Sequence, residues 1–70
     1  MQYLKMHRLR LAAELLRKTN LSIKEITFSI GFTDVSHFVR AFSTTYGLSP
    51  GQYRRRAASN AYNHLMKSHA

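Results

Sequence analysis

Arg40 is the residue with the clearest chemical task in this chain. It stands among Ser36, His37, Val39, Ser43 and Thr44. Helical spacing puts Ser36, Val39, Arg40 and Ser43 on one face, with His37 and Thr44 on its flank. Hydroxyls and a guanidinium suit the reading of base edges in a major groove. An arginine can pair with guanine at two atoms, and an outward valine can meet a thymine methyl. A plain solvent-facing or phosphate-binding charge is the simpler use of the same arginine.

Other chemistries are poorly served. The histidines at 7, 37, 64 and 69 include no pair at the three- or four-residue spacing of a helical ligand pair. With no cysteine to assist, neither a metal site nor a disulfide framework is expected. The carboxylates are Glu14, Glu25 and Asp34 alone, and two of them read as helix caps, so no acid-base pair remains. Ser22 and Ser49 also read as caps, and no glycine-rich phosphate loop is present. An enzyme is not expected, and no cofactor is called for.

Charge points to a polyanion. Eleven lysines and arginines face three acids, for a formal net charge of +8, and nothing after Asp34 is acidic. Nucleic acid is the first candidate partner and an anionic membrane surface the second. No apolar run approaches the ~20 residues that span a bilayer. Met-Gln-Tyr-Leu-Lys is too short in apolar content to act as a secretory signal. A soluble, cytoplasmic protein is expected. In the Arg54-Arg55-Arg56 run the side chains point to different sides of a helix, so they cannot share one phosphate line. Arg54 reads as a brace or a phosphate ligand, and the others as general attraction. The tyrosines and phenylalanines fall mostly at core spacing, not as a platform for single-stranded bases.

These groups need helices to hold them. Residues 3–18 read as the first, with one stripe of Met6, Leu9, Ala12, Ala13 and Leu16 and a second of Leu4, Leu11 and Leu15. Two stripes call for partners on two sides. Arg8 lies between them, its stem covering apolar surface and its head expected to find a carboxylate. Ser22 with Glu25 forms a capping box, and Leu21 with Ile26 the accompanying staple. The second helix, about 23–30, buries Ile23, Ile26 and Ile30 and stops at Gly31. Thr33 or Asp34 caps the third helix, whose inner face is expected to hold Phe38, Ala41, Phe42 and Thr45, with Gly47 as its end. Ser49, Pro50 and Gln52 repeat the start grammar, with Leu48 and Tyr53 as staple. A fourth helix should reach about residue 65, weakly amphipathic and prone to fraying from Ala58.

Two short helices joined by a glycine turn on a basic chain form the skeleton of a helix-turn-helix. The fold class is therefore all-α, a homeodomain-like bundle of three to four helices in one domain over residues 1–70. It comprises 3–18, the helix-turn-helix 22–46 and a C-terminal helix over 49–66.

Residues 3–54 resemble the second half of the DNA-binding domain of AraC/XylS-type transcription regulators. The resemblance is carried by Tyr3, Arg8-Leu9, Ala12, Leu15-Leu16, Ser22-Ile23 and Glu25-Ile26. It continues through Gly31-Phe32-Thr33-Asp34, Ser36-His37-Phe38, Arg40-Ala41-Phe42, Gly47, Ser49-Pro50 and Tyr53-Arg54. It implies a linker helix over 3–18 joining two helix-turn-helix units, of which 22–46 is the second. One stripe of the linker would pack on this unit and the other on the first unit; periodicity does not say which.

The resemblance implies base contacts at Val35, Ser36, His37, Val39 and Arg40, to which the face reading adds Ser43. Backbone contacts fall on Ser22, Lys24, Ser49, Gln52 and Arg54, with Thr44 and Arg55 beside them. The partner is double-stranded DNA, with RNA polymerase a further partner of the intact regulator. Two departures from the family pattern are expected to matter. Thr27 adds a hydroxyl at a tight helix contact and should loosen it; Phe28 puts an aromatic on the outer face of the bracing helix. The rival reading is a regulator half acting mainly through protein contacts, forming homo-oligomers through the exposed stripe of its first helix.

Overall fold

The computed structural model describes residues 2–69 in backbone and residues 5–59 in side-chain detail. Four helices make up this span, α1 Gln2–Lys18, α2 Ile23–Ser29, α3 Val35–Tyr46 and α4 Pro50–His69, and no strand occurs among the described residues. The expected all-α, helix-turn-helix-containing bundle is what forms. α4 continues past residue 65; its side chains from residue 60, where fraying was expected, lie outside the described residues.

The helix ends follow local chemistry. Ser22 Oγ accepts from the Glu25 amide at 3.0 Å, and Glu25 Oε1 accepts from the Ser22 amide at 2.8 Å. Ser49 and Gln52 repeat the arrangement at 3.2 and 3.0 Å. Asp34, not Thr33, caps α3, its Oδ1 taking the Ser36 amide at 2.8 Å. Past α2, the Gly31 amide donates to Phe28 and the Phe32 amide to Thr27. This doubled closure needs a left-handed residue, and Gly31 supplies it at φ 94°. The turn also folds Phe32 back under α2, where it is buried.

The Glu25 carboxyl sits below its ordinary 4.5 because the Ser22 amide, then the Ser22 hydroxyl, hydrogen-bond its charged form. A folded-state pKa below the unfolded one stabilises above the unfolded value and is lost as pH falls through the folded value. Denaturation midpoints at about pH 5 and about pH 3 should therefore converge in Glu25→Gln relative to the parent, because glutamine caps without titrating. An unchanged difference would mean that the acid sensitivity arises elsewhere.

α1 packs on both α2 and α4, and α3 on both α2 and α4. Leu9, Ala12, Ala13 and Leu16 enter the core from α1, Ile26 from α2 and Ile30 from the turn that ends it, and Phe38, Ala41 and Phe42 from α3. Each large buried side chain contributes roughly 1.5–3 kcal/mol relative to exposure, and with no cysteine in the chain these contacts carry the fold. The stripe beginning at Met6 is thus the one facing this unit, but Met6 itself is 49% exposed, because packing ends one turn later at Leu9. Of the second stripe, Leu15 leans on the core while Leu11 is 39% exposed; the side chain of Leu4 lies outside the described residues.

Two expectations need correction, and a third gains its detail. Thr45 is exposed, at the rim beside Lys5 and Met6. The inner row of α3 instead steps by four, Phe38, Phe42, Tyr46, with the Tyr46 ring stacked on Phe42 at 4.5 Å. Thr27 is fully buried, and its hydroxyl donates to the Ile23 carbonyl at 2.7 Å, so no polar group is stranded at the contact. Among the described residues Arg8 finds no carboxylate; its guanidinium lies over the turn, 3.5 Å from where a side chain on Gly31 would begin.

Candidate nucleic-acid interface

α3 is anchored from beneath by an aromatic row. Phe32 meets Phe38 edge-on at 5.6 Å, Phe38 meets Phe42 at 5.8 Å, and Tyr53 closes on Phe42 at 5.4 Å. Phe38 and Phe42 are fully buried, which sets the rotation of the helix about its axis. That rotation leaves Ser36, His37, Arg40 and Thr44 exposed along one edge, with Val35 and Ser43 half-buried at its margins. Val39 was expected to face outward; it is half-buried and packs against the core, so only part of its surface reaches solvent. The His37 ring sits edge-on to Phe32 at 5.5 Å, which restricts its swing.

The backbone-contact set is divided. Ser22, Lys24, Gln52, Thr44 and Arg55 are exposed, and Ser49 is half-buried. The capping boxes occupy the oxygens of Ser22, Ser49 and Gln52 as acceptors. The Gln52 amide hydrogens and the two serine hydroxyl hydrogens remain able to donate. Arg54 belongs elsewhere. Its Nε donates to the Leu16 carbonyl at 3.1 Å, and its Nη2 to the Thr19 and Leu21 carbonyls at 3.3 and 2.7 Å. It braces the end of α1 and the approach to α2, which is the structural half of what was expected of it.

One basic residue joins the edge that the sequence did not bring there. Lys5 of α1 borders a shallow hollow with His37, Arg40, Ala41, Thr44 and Thr45 of α3. Its place depends on how α1 crosses α3, and no spacing rule along the chain reports that.

The electrostatics are one-sided. Glu25 and Asp34 cap helices, and Glu14 lies 3.9 Å from Lys18 in the one ion pair among the described residues. Among the described residues no carboxylate pairs with Lys5, Lys24, Arg40 or Arg55. No cluster of three metal-ligating side chains occurs among the described residues, and no helix there is long and apolar enough to cross a membrane.

The helix-turn-helix domain family matches residues 1–56, covering α1 to α3 and the start of α4. This chain belongs to the AraC-type helix-turn-helix family. The transcriptional activator NphR of Rhodococcus sp is 47% identical over 51 residues, covering 73% of this chain and 15% of its own length. The uncharacterized HTH-type transcriptional regulator YfiF of Bacillus subtilis is 49% identical over 53 residues, 76% of this chain and 17% of its own. The HTH-type transcriptional regulator MtrA of Neisseria gonorrhoeae is 48% identical over 48 residues, 69% of this chain and 16% of its own. This AraC-type module thus spans about a sixth of the length of the curated relatives it matches. No solved structure matches it significantly. This AraC-type module is accordingly a sequence-specific DNA-binding domain.

Proposed function

We propose that this AraC-type module reads double-stranded DNA by laying α3 in the major groove, with Ser36, His37 and Arg40 against base edges. Val35, Ser43 and the open part of Val39 complete the contact. Ser22, Lys24, Thr44, Ser49, Gln52 and Arg55 hold the flanking phosphates, and Lys5 is added to them. The observation that carries this reading is the pairing of a fully buried Phe38–Phe42 underside with a polar edge that no carboxylate opposes. In a longer regulator the same contact would position RNA polymerase, in the cytoplasm. The exposure of Leu11, on the stripe turned away from this unit, supports self-association through α1 as an addition to DNA binding, not a replacement for it.

Selection from random duplexes followed by binding measurements tests this. Arg40→Ala should lose discrimination at one base position, by about 1–3 kcal/mol, while other positions keep theirs. Lys24→Ala and Lys5→Ala should weaken all sequences alike and each lower the salt slope by about one counterion. If Arg40→Ala changes only overall affinity, the base-reading role is wrong.

A further inference from the structure

A second basic surface lies away from the recognition edge. Arg17 of α1, Tyr46 of α3, Leu48 of the connecting turn and Tyr53, Arg56 and Ala57 of α4 line an open groove where three helices converge. Its floor is apolar and fixed. Tyr46 stacks on Phe42 at 27° between ring planes, Tyr53 meets Phe42 edge-on at 82°, and the two tyrosine rings are 5.6 Å apart. Its walls are exposed arginines. Among the described residues neither tyrosine hydroxyl has a hydrogen-bond partner, and Glu14, the acid of α1, is drawn to Lys18. The environment of Tyr46 has the same two-sided character. Partial burial, and then Tyr53, push its hydroxyl up from 10.0, while the charges of Arg10 and Arg17 pull it down.

We infer that this groove docks an acidic segment of a partner protein, with carboxylates on Arg17 and Arg56 and a large apolar side chain over Tyr46, Leu48 and Tyr53. Charge complementarity selects the acid, since among the described residues no carboxylate lines the groove. The apolar floor selects against a phosphate backbone, which would leave the tyrosines and Leu48 uncovered and gain nothing from them. Position agrees. Tyr46 lies about 120° round α3 from Arg40, so an occupant of the groove does not compete for the recognition edge. Rigid aromatic rings beside arginines are also the residue types that concentrate binding energy at protein interfaces. The inference does not rest on the DNA reading: none of its residues is among the proposed base or phosphate contacts, and only Arg56 also adds to the general attraction for a polyanion.

The test uses the full chain and a labelled synthetic peptide in which Asp and Glu flank a central Phe, beside a control with Ala in place of the Phe. Fluorescence polarisation should show the Phe peptide binding more tightly than the Ala control. The double variant Arg17→Glu, Arg56→Glu, with the helical signal checked, should weaken the Phe peptide about ten-fold or more. The same variant should keep the base preference of the parent, and Arg40→Ala should leave peptide binding unchanged. Equal binding of both peptides would reduce the groove to a general polyanion surface and overturn the inference. So would displacement of the peptide by the selected duplex together with loss of duplex affinity in the double variant, because the groove would then be a DNA backbone contact. Loss of base preference in Arg40→Ala without any change in peptide binding would leave both readings standing separately.

Discussion

Phe42→Ala should remove about half or more of this chain's stability and lower its urea midpoint in proportion at room temperature. A domain of 70 residues has a total stability of about 4–10 kcal/mol, and truncating a buried phenylalanine to alanine costs about 3–5 kcal/mol. Phe42 stands toward the upper end, since Phe38, Tyr46 and Tyr53 all pack on its ring and would lose their shared centre. Pair contacts of this kind contribute about 0.5–1.5 kcal/mol each beyond buried area. Phe42→Leu keeps most of the volume and should leave a folded chain with a lowered midpoint. Far-ultraviolet dichroism against urea separates the two. A loss under about 1 kcal/mol for the alanine variant would mean the aromatic row does not hold α3 in place.

Arg54→Leu should destabilise by about 2–4 kcal/mol without altering base preference. Three carbonyls share this guanidinium. Leucine replaces the stem but leaves those oxygens without their donor, and hydrogen bonds to a charged group are worth about 1.5–3 kcal/mol apiece before non-additivity. Arg54→Lys should recover less than half of the loss, because a single ammonium cannot present the planar fork that reaches Leu16 and Leu21 together. Duplex binding measured below the melting range of each variant provides the second readout. A lowered salt slope with unchanged stability would return Arg54 to the phosphate-contact set.

Much of this fold is legible along the chain because its helix ends are decided within four residues. Ser22 with Glu25, Ser49 with Gln52, and the glycines at 31 and 47 can be read without knowing the rest of the molecule. The Phe38–Phe42 pair follows from period alone. Thr45 and Tyr46 show where period stops. The two lie 100° apart on a wheel, and which one turns inward depends on Tyr53 arriving from α4. Val39 fails for the same reason, its side chain reaching a core whose width the wheel does not contain. The partners of Arg54 lie 33 to 38 residues away, and those of Lys5 across a helix crossing, so neither is visible locally. The missing partner of Arg8 was in principle readable. Two of the chain's three acids were already assigned to caps, and the third, Glu14, stands four residues from Lys18.

The distance along the chain between Arg54 and its carbonyls has a kinetic meaning. Closing a loop of that length must precede the reward, so contacts of this kind form after the local turns and caps. An interaction absent from the transition state governs escape from the native basin and leaves entry into it nearly untouched. The expected kinetic signature is that of a late-closing latch: removal of the arginine should steepen spontaneous opening and shorten native lifetime while the refolding arm stays where it was. A slowed refolding arm would place these contacts in the transition state.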